Sequence, residues 1–221
     1  MTDRATVRRM PQRGAYDSTT IHSILDAGFL AHVGFCVDGQ PFVIPTLYGR
    51  TRDVDGPDRL YLHGSAASRM LRELATGIPA CVTVTHVDGI VLARSAFHHS
   101  MNYRSVVAFG TARRIDDIQG KAEALRVISD HLIAGRWQEV RNPTAKELKA
   151  TSVLEFTIED ASAKTRSGPP MDDEEDYALP VWAGVVPLQM QAAAPQRDPR
   201  LEHDLAIPEY VHKFRANGNG S

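Results

Sequence analysis

The run from Phe29 to Tyr48 limits what this chain can fold into more than any other stretch. Phe29 to Val37 is apolar and strand-like, and Asp38-Gly39 is the preferred central pair of a tight hairpin turn. The return strand, Gln40-Pro-Phe-Val-Ile-Pro-Thr-Leu-Tyr48, carries two prolines, which have no N–H to give to a ladder. It therefore needs an open side, at a sheet edge or facing a ligand.

The rest of the chain repeats the hairpin theme. Pro79 to His86 reads as a strand, Val87-Asp-Gly89 as a second hairpin turn and Ile90 to Phe97 as its return. His98 to Tyr103 reads as a linker, and Arg104 to Ile115 as a long strand. Ser152 to Ile158, Ala163 to Arg166 and Leu179 to Leu188 complete the strands. Helices are expected over Tyr16–Gly28, Ser65–Thr76 and Ile118–Ala134. The first is capped by Asp17 or Ser18, and the last is spaced by Ile118, Ala122, Leu125, Ile128 and Leu132. Strands do not alternate regularly with helices, as a parallel βαβ sheet requires. The fold expected is mainly β (α+β), a partly open antiparallel barrel with a few flanking helices.

One domain is expected over 16–190, after a flexible segment 1–15 and before a C-terminal extension, 191–221. The Asn-Gly-Asn-Gly-Ser end reads as disordered, and Leu205 to Phe214 as a segment able to pack across a partner subunit. Arg50 to Arg59 is a polar turn, and the acidic stretch Ser167 to Asp176 a solvated loop. At 221 residues with a net charge of −2, the chain can bury one sizeable core and lacks the electrostatic footprint of a nucleic-acid binder. Cys36 and Cys81 sit in apolar segments and read as buried, reduced thiols, which points to the cytoplasm. Neither a secretory h-region in Met1–Pro11 nor a run of membrane-spanning length is present.

Chemistry gathers in Leu60-Tyr-Leu-His-Gly-Ser-Ala-Ala-Ser-Arg-Met-Leu71, where a strand ending at His63 passes Gly64 into a helix. Ser65, Ser68 and Arg69 in its first turn suit a phosphate monoester, because a helix start offers free N–H groups and arginine grips two oxygens. The plainer reading leaves Ser65 as an N-cap and Arg69 in solvent. Asn102-Tyr103-Arg104-Ser105 is a second candidate, able to complete a cationic cradle beside that turn. His63, His86, His98 and His99 show no metal-ligand spacing, and there is no G-x-S-x-G or G-x-G-x-x-G.

Four segments together resemble a known family. They are Gly39-Gln-Pro-Phe-Val-Ile-Pro-Thr46, Leu60–Leu71, Ala96-Phe-His-His-Ser-Met-Asn-Tyr-Arg-Ser-Val-Val-Ala-Phe-Gly-Thr-Ala112 and Leu179-Pro-Val-Trp-Ala-Gly-Val-Val-Pro-Leu188. In that order they resemble the FMN-binding split-barrel superfamily related to pyridoxamine 5′-phosphate oxidase, nearest its nitroimidazole reductase-like branch. The resemblance implies FMN as cofactor. Val43, Ile44, Pro45 and Thr46 would then lie along the isoalloxazine, with Leu62 and His63 close to it. Gly64, Ser65, Ser68 and Arg69 would form the phosphate turn, Asn102, Tyr103, Arg104 and Ser105 would add further contacts, and Trp182 would approach from the other subunit of a homodimer. His63 would also stand on the substrate side, as the one candidate catalytic residue.

Electrons would pass from a visiting NAD(P)H through the flavin to a nitroaromatic or quinone-like acceptor. Met70 after Arg69, where the oxidase proper has Arg-Lys, and the lack of an Arg-x-His-type element argue against vitamin B6 oxidation. The other readings are a flavin carrier or sensor without turnover, and a split barrel holding a deazaflavin or haem.

Overall fold

The computed structural model describes residues 2–51 and 58–214. Six antiparallel strands close a barrel in the order β7-β4-β3-β2-β5-β6, and pairing of β6 with β7 completes the ring. These are β2 (Leu30–Val37), β3 (Gln40–Arg50), β4 (Arg59–Ser65), β5 (Ala80–Leu92), β6 (Ser100–Arg114) and β7 (Thr151–Arg166). Short β1 (Gly14–Ala15) adds to β7, and β8 (Gly184–Pro187) adds to β5. The helices are α1 (Ser18–Ala27), α2 (Arg69–Leu74), α3 (Ile118–Leu132), α4 (Ala145–Ala150) and α5 (Glu209–His212).

The barrel is split where the proline strand runs. β3 meets β4 only from Tyr48↔Leu62 to Arg50↔Leu60, whereas it pairs with β2 from Gln40↔Val37 to Leu47↔Leu30. Residues Gln40 to Leu47 thus keep one edge without a ladder partner, which is where Pro41 and Pro45 are tolerated. Alternation along the strands fills the interior. Val33, Tyr48, Leu60, Leu62, Val82, Leu154 and Phe156 are almost fully buried there, together with Ile24 and Leu25 of α1. Each such aliphatic or phenyl side chain contributes about 1.5–3 kcal/mol by leaving water. Asp17 caps α1 by accepting from the Thr20 N–H.

A second, smaller core lies outside the barrel wall. Tyr61 and Val153 face outward there and pack against Ala124 and Ile128 of α3. Gly49 permits the approach, because a Cβ at that position would stand 2.7 Å from the Ile128 Cα.

Several expected elements differ. No hairpin forms at Val87-Asp-Gly89, and β5 runs straight through it with a register shift. Glycine is needed there because a Cβ would meet Val185 of β8 at 2.9 Å, and Asp88 is held by Arg104. The expected strands Ser152–Ile158 and Ala163–Arg166 are one strand, and the polar residues between them lie at a bulge opposite Phe109/Gly110. Their carboxylates anchor the N-terminal segment: Arg4 pairs with Glu159 at 2.8 Å, and the Thr2 N–H donates to Asp160 at 2.6 Å. Of the last expected strand only Gly184–Pro187 pairs, and α4 was not anticipated.

Cys36 is exposed and Cys81 half-buried rather than core, because the inward parity of β2 belongs to Ala31, Val33 and Phe35. In the acidic loop, Asp172 is not solvated. Its side chain is fully buried and pairs with Arg94 at 3.0 Å. The tail from Val186 to Ile207 is exposed throughout, and beyond it Tyr210 donates to Glu139 and accepts from Arg136 of the same chain. The centre of the Arg50–Arg59 turn (52–57) and the Asn-Gly end (217–221) lie outside the described residues.

Candidate functional site

The turn after His63 is built differently from a helix start at Ser65. Ser65 still belongs to β4, opposite Thr151, and the next N–H, of Ala66, donates to the Ala150 carbonyl. The Ser65 hydroxyl accepts from the Ala67 N–H at 3.2 Å, and the Ser68 N–H donates to the Ser65 carbonyl at 2.9 Å. Only then does α2 begin, with Ser68 as its N-cap accepting from the Leu71 N–H. Both hydroxyls are therefore engaged by local backbone. Gly64 lies at the strand end, with Leu71 a little over 3 Å from where its Cβ would be.

The Arg69 guanidinium lies 5.3 Å over the Phe42 ring and has no carboxylate partner among the described residues. With Phe35, Ile44, Ser68 and Met70 it bounds a cavity of about 260 Å³ beside the open edge of β3. Three of the expected cofactor contacts, Ile44, Ser68 and Arg69, thus converge. Val43 is 64% exposed on the opposite face of that strand with Pro45, also exposed, whereas Thr46 is half-buried on the Ile44 face.

The other expected contacts stand elsewhere. Gly110 of β6 is level with Ala80 and hence with Phe35, whereas Arg104 is level with His86, six residues further along. At strand rise that is about 20 Å. One chain alone does not place Arg104 beside Arg69. Arg104 donates to both Asp88 oxygens at 2.9 and 2.8 Å, and this pairing raises its pKa. Asn102 is buried and donates to the Gly168 carbonyl at 3.2 Å, while accepting from Arg166. Ser105 donates to the Lys164 carbonyl, Tyr103 is half-buried, and Trp182 is 67% exposed against Gly184.

Leu62 and His63, expected side by side at a ligand, point to opposite faces of β4. Leu62 is fully buried inside the barrel. His63 faces outward into a second cavity, of about 530 Å³, roofed by α3 and the segment that follows it. Its walls are largely apolar, with Leu47, Leu125, Ile128, Leu132, Trp137 and Val140 among them, and Arg141 and Glu147 also line it. The His63 Nδ1 is buried without a hydrogen-bond partner among the described residues, and burial holds the imidazole pKa below its ordinary value. Burial thus disfavours protonation of the ring, and its sealed Nδ1 leaves Nε2 as the nitrogen able to meet a ligand. Sequence reasoning missed this cleft. Its one signal was Trp137 and Val140, large apolar residues in an otherwise polar linker.

The other three histidines weighed for a metal, His86, His98 and His99, have partners within the fold. His86 bonds the Ile24 carbonyl at 3.0 Å, His99 accepts from the Ala93 N–H, and His98 faces Asp173. Among the described residues, no helix is long and apolar enough to cross a membrane.

Residues 17–165 match the pyridoxamine 5′-phosphate oxidase family, about two thirds of the chain. The chain belongs to that family. Within this split-barrel group it resembles the flavocytochrome Anf3 from Azotobacter vinelandii, with 46% identity over 97% of both chains and a TM-score of 0.89. It also resembles an FAD and haem binding protein from Mycobacterium smegmatis, at 39% identity over 93% of this chain and 98% of that one, with a TM-score of 0.86. A candidate 5-nitroimidazole antibiotic resistance protein from Bacteroides thetaiotaomicron shares the fold at 22% identity, covering 68% of this chain and 86% of that one, with a TM-score of 0.54. No curated protein sequence matches the chain.

Proposed function

We propose that this family member is a flavin-dependent redox protein that also holds a haem. The observation that carries the reading is the placement of two ligand-sized features on one strand. β3 offers an unpaired edge over Gln40–Leu47, and its Leu47 forms part of the wall of the His63 cavity. The likeness to a flavocytochrome and to an FAD and haem binding protein supports it. FAD is favoured over the FMN first expected, since it is the flavin named for the second of these relatives.

A bound flavin accepts a hydride and passes on electrons singly or in pairs, and a bound haem iron carries one. The chain's own residues hold and orient. Backbone groups of Val43 to Thr46 on the open edge and the Ile44 side chain would hold the flavin ring, and Arg69 would supply the cation for a phosphate. Arg104, Ser105, Asn102, Tyr103 and Trp182 then belong to the site through a second copy, because one protomer leaves Arg104 about 20 Å away along the sheet and the others on that same side. A homodimer also covers Leu30, Val43 and Leu47, which are exposed on the outer face of the β2–β3 hairpin. Reduced nicotinamide is oxidised, and a nitroaromatic or quinone takes up the two electrons.

The test is the cofactor content and anaerobic reduction of the purified protein. Released FAD, bleaching by NADH or NADPH, and reoxidation by a quinone are expected. Bound flavin that no nicotinamide reduces would leave a carrier or sensor. Failure to retain or take up any flavin would end the proposal.

A further inference from the structure

We propose that the His63 cavity is where this chain seats haem, with the His63 imidazole as the iron's ligand among the described residues and Arg141 as the cation for a propionate. This rests on the reading of the chain as a flavin and haem protein, and assigns the residues that reading leaves open.

Three observations converge. The cavity is an open cleft whose volume of about 530 Å³ lies within the range of roughly 300–1,000 Å³ typical of small-molecule sites. Its walls are what a porphyrin face needs: Leu47, Ile128, Leu132, Trp137 and Val140 present apolar surface, and Arg141 adds a guanidinium. Arg141 donates twice to Glu147, at 2.9 and 2.6 Å, and once to the Asn142 carbonyl at 3.1 Å, which leaves its Nε–H and one terminal N–H for a carboxylate. A neutral imidazole in an apolar recess is the commonest protein ligand for haem iron. Here its Nδ1 is buried and unpaired.

The set also says what the iron would lack. Among the described residues that line the cavity there is no second histidine, and no methionine, cysteine or tyrosine. His63 would then be the single side-chain ligand among this cavity's described residues, which suits an iron that binds a small exogenous molecule. The His63 cavity would then be a second site of chemistry, reached from the flavin through the wall at Leu47.

Haem content and spectra of the flavin-loaded protein, titrated with hemin, test this directly. His63→Ala should weaken haem uptake on the order of 100-fold, since losing even a ligand's supporting hydrogen bond costs about 10–100-fold. Flavin content should stay unchanged. His63→Gly should regain the Soret band with added imidazole, and carbon monoxide should shift the spectrum of the reduced wild type. His63→Ala with the wild-type spectrum and stoichiometry would overturn the assignment while leaving the haem reading intact. No haem uptake by the wild type would end both. If neither His63 variant folds, Leu132→Trp decides by filling the cavity with the imidazole in place: lost haem supports the site, retained haem overturns it.

Discussion

At the scale of single residues, the two ends of the candidate site obey different physics. Arg69 has an aromatic face beneath it and no carboxylate beside it, so removing it takes a charged hydrogen bond from a bound phosphate and little from the fold. Arg69→Ala should weaken flavin binding by about 1.5–3 kcal/mol, read as a dissociation constant by fluorescence titration. Tyr48 is the opposite case. It is 1% exposed and donates to the Leu25 carbonyl, with burial holding its pKa far above the usual phenol value. Tyr48→Phe strands that carbonyl and should cost roughly 1–3 kcal/mol in urea unfolding, with flavin retained.

His63 links stability to pH. Its folded pKa lies below 6.5, the ordinary value, so the unfolded chain takes the proton first as pH falls. The stability it contributes is complete above that value and is lost as pH falls toward the folded pKa. The urea midpoint of the haem-free wild type should drop between about pH 7.5 and 5.5, and that of His63→Phe should drop less. Arg69 and Ile44 were legible as candidates because an arginine after a serine-bearing turn and a proline-broken strand are local signals, and the fold brings the two to one cavity. The cleft around His63 was not, since Leu47, Ile128 and Trp137 come from separate elements and only tertiary packing unites them.

Among the elements, β3 and α3 matter most, because their contact makes the cavity. The α3 backbone sits where a Gly49 side chain would be, so Gly49→Ala must push the helix outward. Such overpacking costs about 1–3 kcal/mol. Haem content should fall with the melting temperature in this variant. The barrel itself was largely legible: the Asp38-Gly39 turn, the open proline edge and the amphipathic α3 all follow from local chemistry. What failed were the breaks. Asp88-Gly89 carries turn residues, yet its glycine answers to β8 lying across it. Glu159-Asp160 looked like a gap between strands because polar residues at a bulge resemble a loop. Distant partners, Val185 and Thr2, decided both, and no window of sequence contains them.

For the whole molecule, the governing fact is that one chain spreads the expected cofactor contacts over two ends of its sheet. Leu30 is 45% exposed on the outer face and belongs to neither end. Leu30→Asp should therefore shift the protein to monomer in sedimentation velocity and lower flavin retention, although it touches no ligand. The exposed tail makes the same association readable by a simpler route. Arg197 and Arg200 lie in 22 residues of solvent-facing chain, Val186 to Ile207, where a protease can reach the backbone. Trypsin should nick the monomeric variant there within minutes, sparing the barrel and releasing the α5 end. A chain sheltered by its own copy would be clipped far more slowly, turning an ordinary gel into a gauge of assembly.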